Sequence, residues 1–217
     1  MDIFSILKPK TFTLFIAPPA AGKTRYLLQM FKQDHWKFIF ISPLRALADE
    51  FFLEAQKVTS TLLFSCAQER KEIFKKWKEL KEGVLILTPE LWDEKFLLQQ
   101  NILLILDEVH LYEMWGETFR PKMREVFFSC ATSGLPLLGL TATLSLEIQN
   151  KWEEEFILTF DDFVILDFGN EKLKYLPCYE VCVPHWLGQS FLQRRLEQEI
   201  KHKKEDETFL IFCAYRS

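Results

Sequence analysis

The sequence predicts an α/β protein built on a mostly parallel sheet flanked by helices, and three observations carry that expectation. Apolar runs of strand length alternate with longer stretches of mixed polarity that have helical spacing. The first apolar run leads into Ala17-Pro18-Pro19-Ala20-Ala21-Gly22-Lys23-Thr24, and a helix-forming segment follows directly. A central run, Asn101-Ile-Leu-Leu-Ile-Leu, has no polar face and stops abruptly at Asp107-Glu108-Val109-His110. A strand apolar on both faces belongs in the middle of a parallel sheet covered by helices on both sides.

Taken in order, strands are expected over residues 12–17, 37–42, 61–65, 84–88, 102–107, 137–140 and 163–167. Each is a short apolar run bounded by polar or turn residues. Helices are expected between them, over 23–32, 44–56, 67–81, 90–99, 115–130 and 145–154. Thr88-Pro89-Glu90 reads as a helix start, with Thr88 as cap and Pro89 at the first helical position. The alternation implies right-handed βα crossovers. Composition shifts near Asp167-Phe-Gly169-Asn170. Beyond it come an extended segment (175–184), a helix (189–203) and a strand (208–212), too few elements to enclose a core. Residues 1–170 are therefore expected as one domain, and 171–217 as a linker and the beginning of a second.

The loop before Lys23 has the context of a phosphate site. Helix-terminal N–H groups of Pro19 to Arg25 (Pro19 itself lacking a donor, then Ala20, Ala21, Gly22, Lys23, Thr24 and Arg25) face an anion along the positive end of a helix dipole. Lys23 adds a point charge, and the Thr24 hydroxyl suits Mg²⁺. A carboxylate at the carboxyl end of a central strand sits where open α/β sheets bind ligands. Asp107 is the expected partner of Mg²⁺, and Glu108 the group that orients or deprotonates an attacking water. Together they point to a nucleoside triphosphate, ATP with Mg²⁺.

The bulk composition narrows the class. The 217 residues carry a net charge of −4 at pH 7, which argues against gripping nucleic acid by bulk charge. The basic runs at 70–71, 75–78 and 201–204 alternate with Glu in a helical pattern, as on a solvated face. No apolar run reaches membrane-spanning length, so no membrane partner is expected and the cytoplasm is the expected compartment. Five scattered cysteines suit reduced thiols. Cys178, Cys182 and His185 form the one cluster, but it lacks a nearby fourth ligand for zinc.

Five blocks in fixed order (Ala17-x4-Gly22-Lys23-Thr24, Ser42-Pro43-Leu44-Arg45-Ala46-Leu47-Ala48, Leu87-Thr88-Pro89-Glu90, Asp107-Glu108-Val109-His110 and Leu140-Thr141-Ala142-Thr143) resemble motifs I, Ia, Ib, II and III of superfamily 2 (DExH-box) helicases. Residues 208–217 are similar to motif IV. The stretch His110-Leu-Tyr-Glu-Met-Trp115-Gly116-Glu-Thr-Phe119-Arg120-Pro121 is similar to the aromatic-rich loop of RecQ-like DNA helicases. The resemblance implies a RecA-like P-loop NTPase domain plus an incomplete second RecA-like domain. It implies a DNA partner, single-stranded rather than duplex, with RNA as the other option; it leaves the oligomeric state open. By the same resemblance Pro43, Arg45, Thr88, Pro89 and Glu90 contact the nucleic-acid backbone. His110, Thr141 and Thr143 couple the ATP and nucleic-acid sites, and Trp115, Phe119 and Arg120 sense the strand. Trp115 and Phe119 also have a plain reading as core residues, because the chain carries 21 Phe and six Trp.

The chain departs from the family pattern in three ways. Ala20 stands where glycine is usual; a left-handed backbone there costs about 1–2 kcal/mol and weakens nucleotide binding roughly tenfold. Only about ten residues precede the first strand, where relatives carry a longer adenine-recognising segment, so the base selectivity expected of the family is in doubt. Motifs V and VI, with their arginine finger, are missing, so slow turnover and no unwinding are expected of these residues. The competing readings are a non-catalytic, nucleotide-stabilised binding or scaffold module and a P-loop small-molecule kinase; the latter gives the blocks around Arg45, Thr88 and Thr141 no reason to recur.

Overall fold

The computed structural model describes residues 4, 6–99, 101–156 and 159–168. The chain divides into two compact units, Met1–Lys174 and Tyr175–Ser217. The expected elements over 175–184, 189–203 and 208–212, the 208–217 block and the Cys178, Cys182, His185 cluster all lie outside the described residues.

Among the described residues seven strands form one sheet: β1 (Thr11–Ile16), β2 (Lys37–Ile41), β3 (Thr61–Phe64), β4 (Gly83–Leu87), β5 (Ile102–Leu106), β6 (Leu137–Thr141) and β7 (Asp162–Asp167). Their order is β3-β4-β2-β5-β6-β1-β7. Every pairing is parallel. Among the described residues six α-helices accompany them: α1 (Lys23–Met30), α2 (Arg45–Ala55), α3 (Arg70–Glu79), α4 (His110–Met114), α5 (Pro121–Thr132) and α6 (Leu146–Phe156).

The strands are apolar throughout because both faces are covered. In β5, Leu104 and Leu106 belong to one core with Trp77, Tyr112, Phe127 and Trp152, whereas Leu103 and Ile105 belong to a second with Leu27, Phe38 and Phe51. The two-residue period thus feeds two helical layers from one strand. In α3, Ile73 and Trp77 are buried while Lys71, Lys75, Lys76 and Lys78 are exposed, so the basic run lies on the solvated side.

All seven expected strands are present, with ends displaced by a residue at most. Two expected helices differ. Residues 90–99 form two short 3-10 turns, Pro89–Leu91 and Glu94–Leu97, instead of a helix. Trp92 adopts an extended ψ of 140°, and the Asp93 side chain accepts from the Lys95 N–H to start the second turn afresh. The helix expected over 115–130 begins only at Pro121, as α5, while the short α4 ends before that range starts. Arg120 precedes Pro121, and the proline ring disfavours α conformation in the residue before it. Arg120 accordingly has φ −136° and ψ 75°, and α5 begins at Pro121.

Candidate nucleotide and nucleic-acid site

Because all strands run parallel, the loops after β1, β2, β4, β5 and β6 open on the same edge of the sheet, the edge where such folds bind ligands. Backbone bonds extend the ladder into these loops. Ala17 N–H donates to the Thr141 carbonyl (3.0 Å), Asp107 N–H to Ile41 (3.0 Å) and Val109 N–H to Leu140 (2.8 Å). The loops after β1, β2, β5 and β6 are therefore stitched to one another.

The phosphate-type loop turns through two left-handed residues, Ala20 (φ 61°) and Gly22 (φ 93°). The left-handed backbone anticipated at Ala20 is thus present, and alanine bears its strain. Gly22 begins α1 with no side-chain cap and no acid in the first turn. Its terminal N–H groups are therefore available to an anion. The Lys23 ammonium donates to the Ala17 carbonyl at 2.7 Å, holding the side chain back across its own loop.

Lys23, Thr24, Asp107 and Glu108 line one cleft of about 270 Å³, together with Glu50 and Glu54 of α2. The lysine and the acid pair thus meet at one edge of the sheet. Burial pushes the Asp107 carboxyl up to about 6, with the neighbouring Glu108 charge adding to the rise; Lys23 and a hydrogen bond with Ser42 pull the other way. Ser42 is fully buried. Glu108 adopts φ 44°, a left-handed geometry that redirects the chain directly after the strand.

Thr24 and Asp107 offer hard oxygen ligands suited to Mg²⁺. Among the described residues no group of three or more His, Cys, Asp or Glu gathers as a metal cage. A cation held by Thr24 and Asp107 would share phosphate oxygens, the usual manner of Mg²⁺. When bound, it would neutralise charge developing on the phosphates.

His110 follows the acid pair and reaches across to β6. The Thr141 hydroxyl donates to the Thr143 carbonyl (2.6 Å) and accepts from the Thr143 N–H (3.2 Å). Its only proton is then committed, so the 2.8 Å contact with His110 Nδ1 needs the imidazole N–H as donor. Burial lowers the His110 pKa against the raising effect of Glu108, which favours the neutral ring at pH 7.

The remaining expected residues cluster beside this site. Arg120 donates twice to Glu90 Oε1 (3.0 and 2.5 Å) and once to the Pro43 carbonyl (2.5 Å). Its guanidinium lies 6.0 Å from the Trp115 ring, which meets Phe119 edge to face at 6.0 Å. Trp115 packs partly into the core, whereas Phe119 is 72% exposed. Arg120 thus has protein partners on both its Glu90 and Pro43 sides. Thr88 does not cap; its hydroxyl bonds to the Glu90 carboxylate instead. Arg45 remains mostly exposed, 3.9 Å from Asp49.

Sequence reading missed two features. Ser42 is a hydroxyl at the end of β2, the strand beside β5, so strand order would have revealed it. The other is a charged knot. Glu113, 4% exposed, takes Lys151, Arg124 (3.5 Å) and the Trp152 indole N–H (3.3 Å), tying α4 to α5 and α6. No local pattern signals a cluster assembled from three helices.

An all-parallel sheet with a glycine-lysine-threonine helix start after β1 and an acid pair after β5 defines the class of P-loop α/β proteins. More narrowly, residues 3–151 match the DEAD/DEAH box helicase family, and the chain belongs to it. It is 27% identical over 222 residues to activating signal cointegrator 1 complex subunit 3 of Danio rerio, a match covering 89% of this chain and 14% of that protein. To the ATP-dependent DNA helicase RecQ of Bacillus subtilis it is 30% identical over 149 residues, 63% of this chain and 25% of the relative. The chain thus spans a quarter or less of these relatives. A DEAD box protein from Methanococcus jannaschii shares the fold at a TM-score of 0.53 and 20% identity, over 77% of this chain and 47% of that one.

Proposed function

We propose that this chain binds Mg·ATP and couples its hydrolysis to single-stranded DNA, as the ATP-binding motor domain of a superfamily 2 helicase. The convergence of Lys23, Thr24, Asp107 and Glu108 on one cleft carries the reading. In it, Lys23 and the N–H groups of residues 20–25 bind the phosphates, Thr24 and Asp107 hold Mg²⁺, and Glu108 accepts a proton from the attacking water. His110, Thr141 and Thr143 relay the state of that cleft, which their shared hydrogen bonds support. Phe119, exposed beside Trp115, offers a stacking face to a base. Pro43, Arg45, Thr88, Pro89 and Glu90 border the strand's path, with Arg120 organising them. RNA is the other candidate strand.

Residues 1–170 form the motor domain in this reading and 171–217 begin its continuation. A cytoplasmic setting agrees with the lack, among the described residues, of a helix long and apolar enough to cross a membrane.

Calorimetry tests the nucleotide assignment. Lys23→Ala is expected to abolish Mg·ATP binding while leaving the circular dichroism spectrum unchanged, and Glu108→Gln to keep binding but lose hydrolysis. Equal ATP affinity in the wild type and Lys23→Ala would refute it. A second reading, a nucleotide-stabilised scaffold without turnover, draws on the strained Ala20. ATP hydrolysis stimulated by single-stranded DNA excludes that reading.

A further inference from the structure

β2 ends in a peptide unit whose hydrogen-bonding groups are all taken. The Ser42 N–H donates to the Leu87 carbonyl at 3.0 Å, one residue before Thr88. The Ile41 carbonyl has two lone pairs, and both are used. One accepts the Asp107 N–H at 3.0 Å and the other the Tyr112 hydroxyl at 2.9 Å. The first two bonds continue the sheet ladder; the third comes from a side chain. One peptide thus joins the chain before Thr88, the chain at the acid pair and the short helix α4.

Packing does not require that hydroxyl. Tyr112 is wholly buried in the core it shares with Leu106, Val109 and Phe127, where phenylalanine would fill nearly the same volume. A buried neutral hydrogen bond returns little beyond the desolvation it costs. Burial raises the phenol well above its ordinary pKa, so the group stays a protonated donor at neutral pH. The charges of Asp107, Arg120 and Glu90 all reach it.

The hydroxyl bears on where Ser42 stands. That side chain is fully buried, and its single proton has two acceptors in reach, the Asp107 carboxylate and the Leu44 carbonyl at 3.3 Å. The charged acceptor gives the stronger bond, provided that the end of β2 is held level with Asp107. Carboxylates that ligate metal depend on such outer hydrogen bonds for their orientation.

We propose that Tyr112 is a positioning residue for the metal side of the nucleotide cleft: its hydroxyl clamps the Ile41–Ser42 peptide so that Ser42 donates to Asp107 and orients that carboxylate toward the cation. This rests on the reading of the cleft as a Mg·ATP site.

Calorimetry with ADP, in excess Mg²⁺ and in EDTA, tests this on wild type, Tyr112→Phe, Ser42→Ala and the double variant. Tyr112→Phe removes one oxygen and leaves the Ile41 carbonyl its Asp107 partner, so the fold is retained. Mg·ADP should bind about 3- to 10-fold more weakly to Tyr112→Phe, and metal-free ADP as it does to wild type. Ser42→Ala should weaken Mg·ADP at least as much, and the double variant no more than Ser42→Ala alone, because Tyr112 acts through Ser42. Unchanged Mg·ADP affinity in Tyr112→Phe, an equal loss for metal-free ADP, or losses that add in the double variant overturn the positioning role while the nucleotide site stands. A wild type that binds ADP in neither condition overturns the phosphate reading, and the positioning role with it.

Discussion

Removing the Arg120 side chain should cost stability through a connection that spans three loops. The guanidinium makes two hydrogen bonds to Glu90 and one to the Pro43 carbonyl. Hydrogen bonds involving a charged partner contribute about 1.5–3 kcal/mol each where water is excluded. The Arg120 side chain is 19% exposed, but Glu90 is 48% exposed, so the ion-pair part is heavily screened. Pro43 is buried, and its carbonyl would lose its partner. A net loss of about 2–3 kcal/mol follows for Arg120→Ala, roughly 5–10 °C in Tm for a domain of this size. Burial alone would raise the Glu90 pKa, but the bonds from Arg120, its own backbone and Thr88 hold it below its ordinary value. A depressed carboxylate stabilises the fold above its unfolded pKa and loses that contribution as pH falls through its folded value. The Arg120→Ala penalty should therefore be full at pH 7 and shrink in acid below pH 4.5. Thermal melts of Arg120→Ala, Glu90→Gln and the double variant across pH measure this directly. Strict additivity of the two single changes, or a penalty independent of pH, would sink the argument.

Three more expectations concern the same edge of the sheet. A Cβ on Gly116 would lie 2.1 Å from the Tyr112 carbonyl and 2.9 Å from the Arg124 N–H nitrogen, so Gly116→Ala should destabilise by more than about 2 kcal/mol in a denaturant titration; a wild-type midpoint would contradict the packing described. Asp107, pushed up to about 6, has to lose its proton to take Mg²⁺, so Mg·ATP affinity should fall about tenfold per pH unit below 6 and level off above it. A flat profile between pH 5 and 7 would show the carboxyl to be ionised throughout. At Ala20, with φ 61°, glycine removes about 1–2 kcal/mol of strain but adds about 0.5–1 kcal/mol of unfolded-state freedom. Ala20→Gly should therefore raise Tm by a degree or more, and a lower Tm would place the strain elsewhere.

The strands were legible because a doubly covered sheet needs unbroken apolar runs, and Ile102–Leu106 is such a run, buried at every position. The loops bearing Lys23 and Asp107 were legible for a related reason: parallel topology puts every β-to-α turn on one edge, so identity and order suffice. Arg120 shows where that reasoning stops. Its residue type suited phosphate, yet its partners Pro43 and Glu90 lie 77 and 30 positions away. The proline after it could have shown the helix break, but nothing local could have shown the contact. Ser42 was hidden likewise, since its meeting with Asp107 depends on β2 lying next to β5.

The buried Glu113 fastens α6 to the helix that begins at His110. Lys151 lies on α6, outside every recognisable block, yet it is anchored within one turn of the imidazole that reads Thr141. The contact thus ties the position of α6 to the short helix that begins at His110. A change at position 151 therefore reaches past α6, because it leaves a 4% exposed carboxylate short of one of its cationic partners.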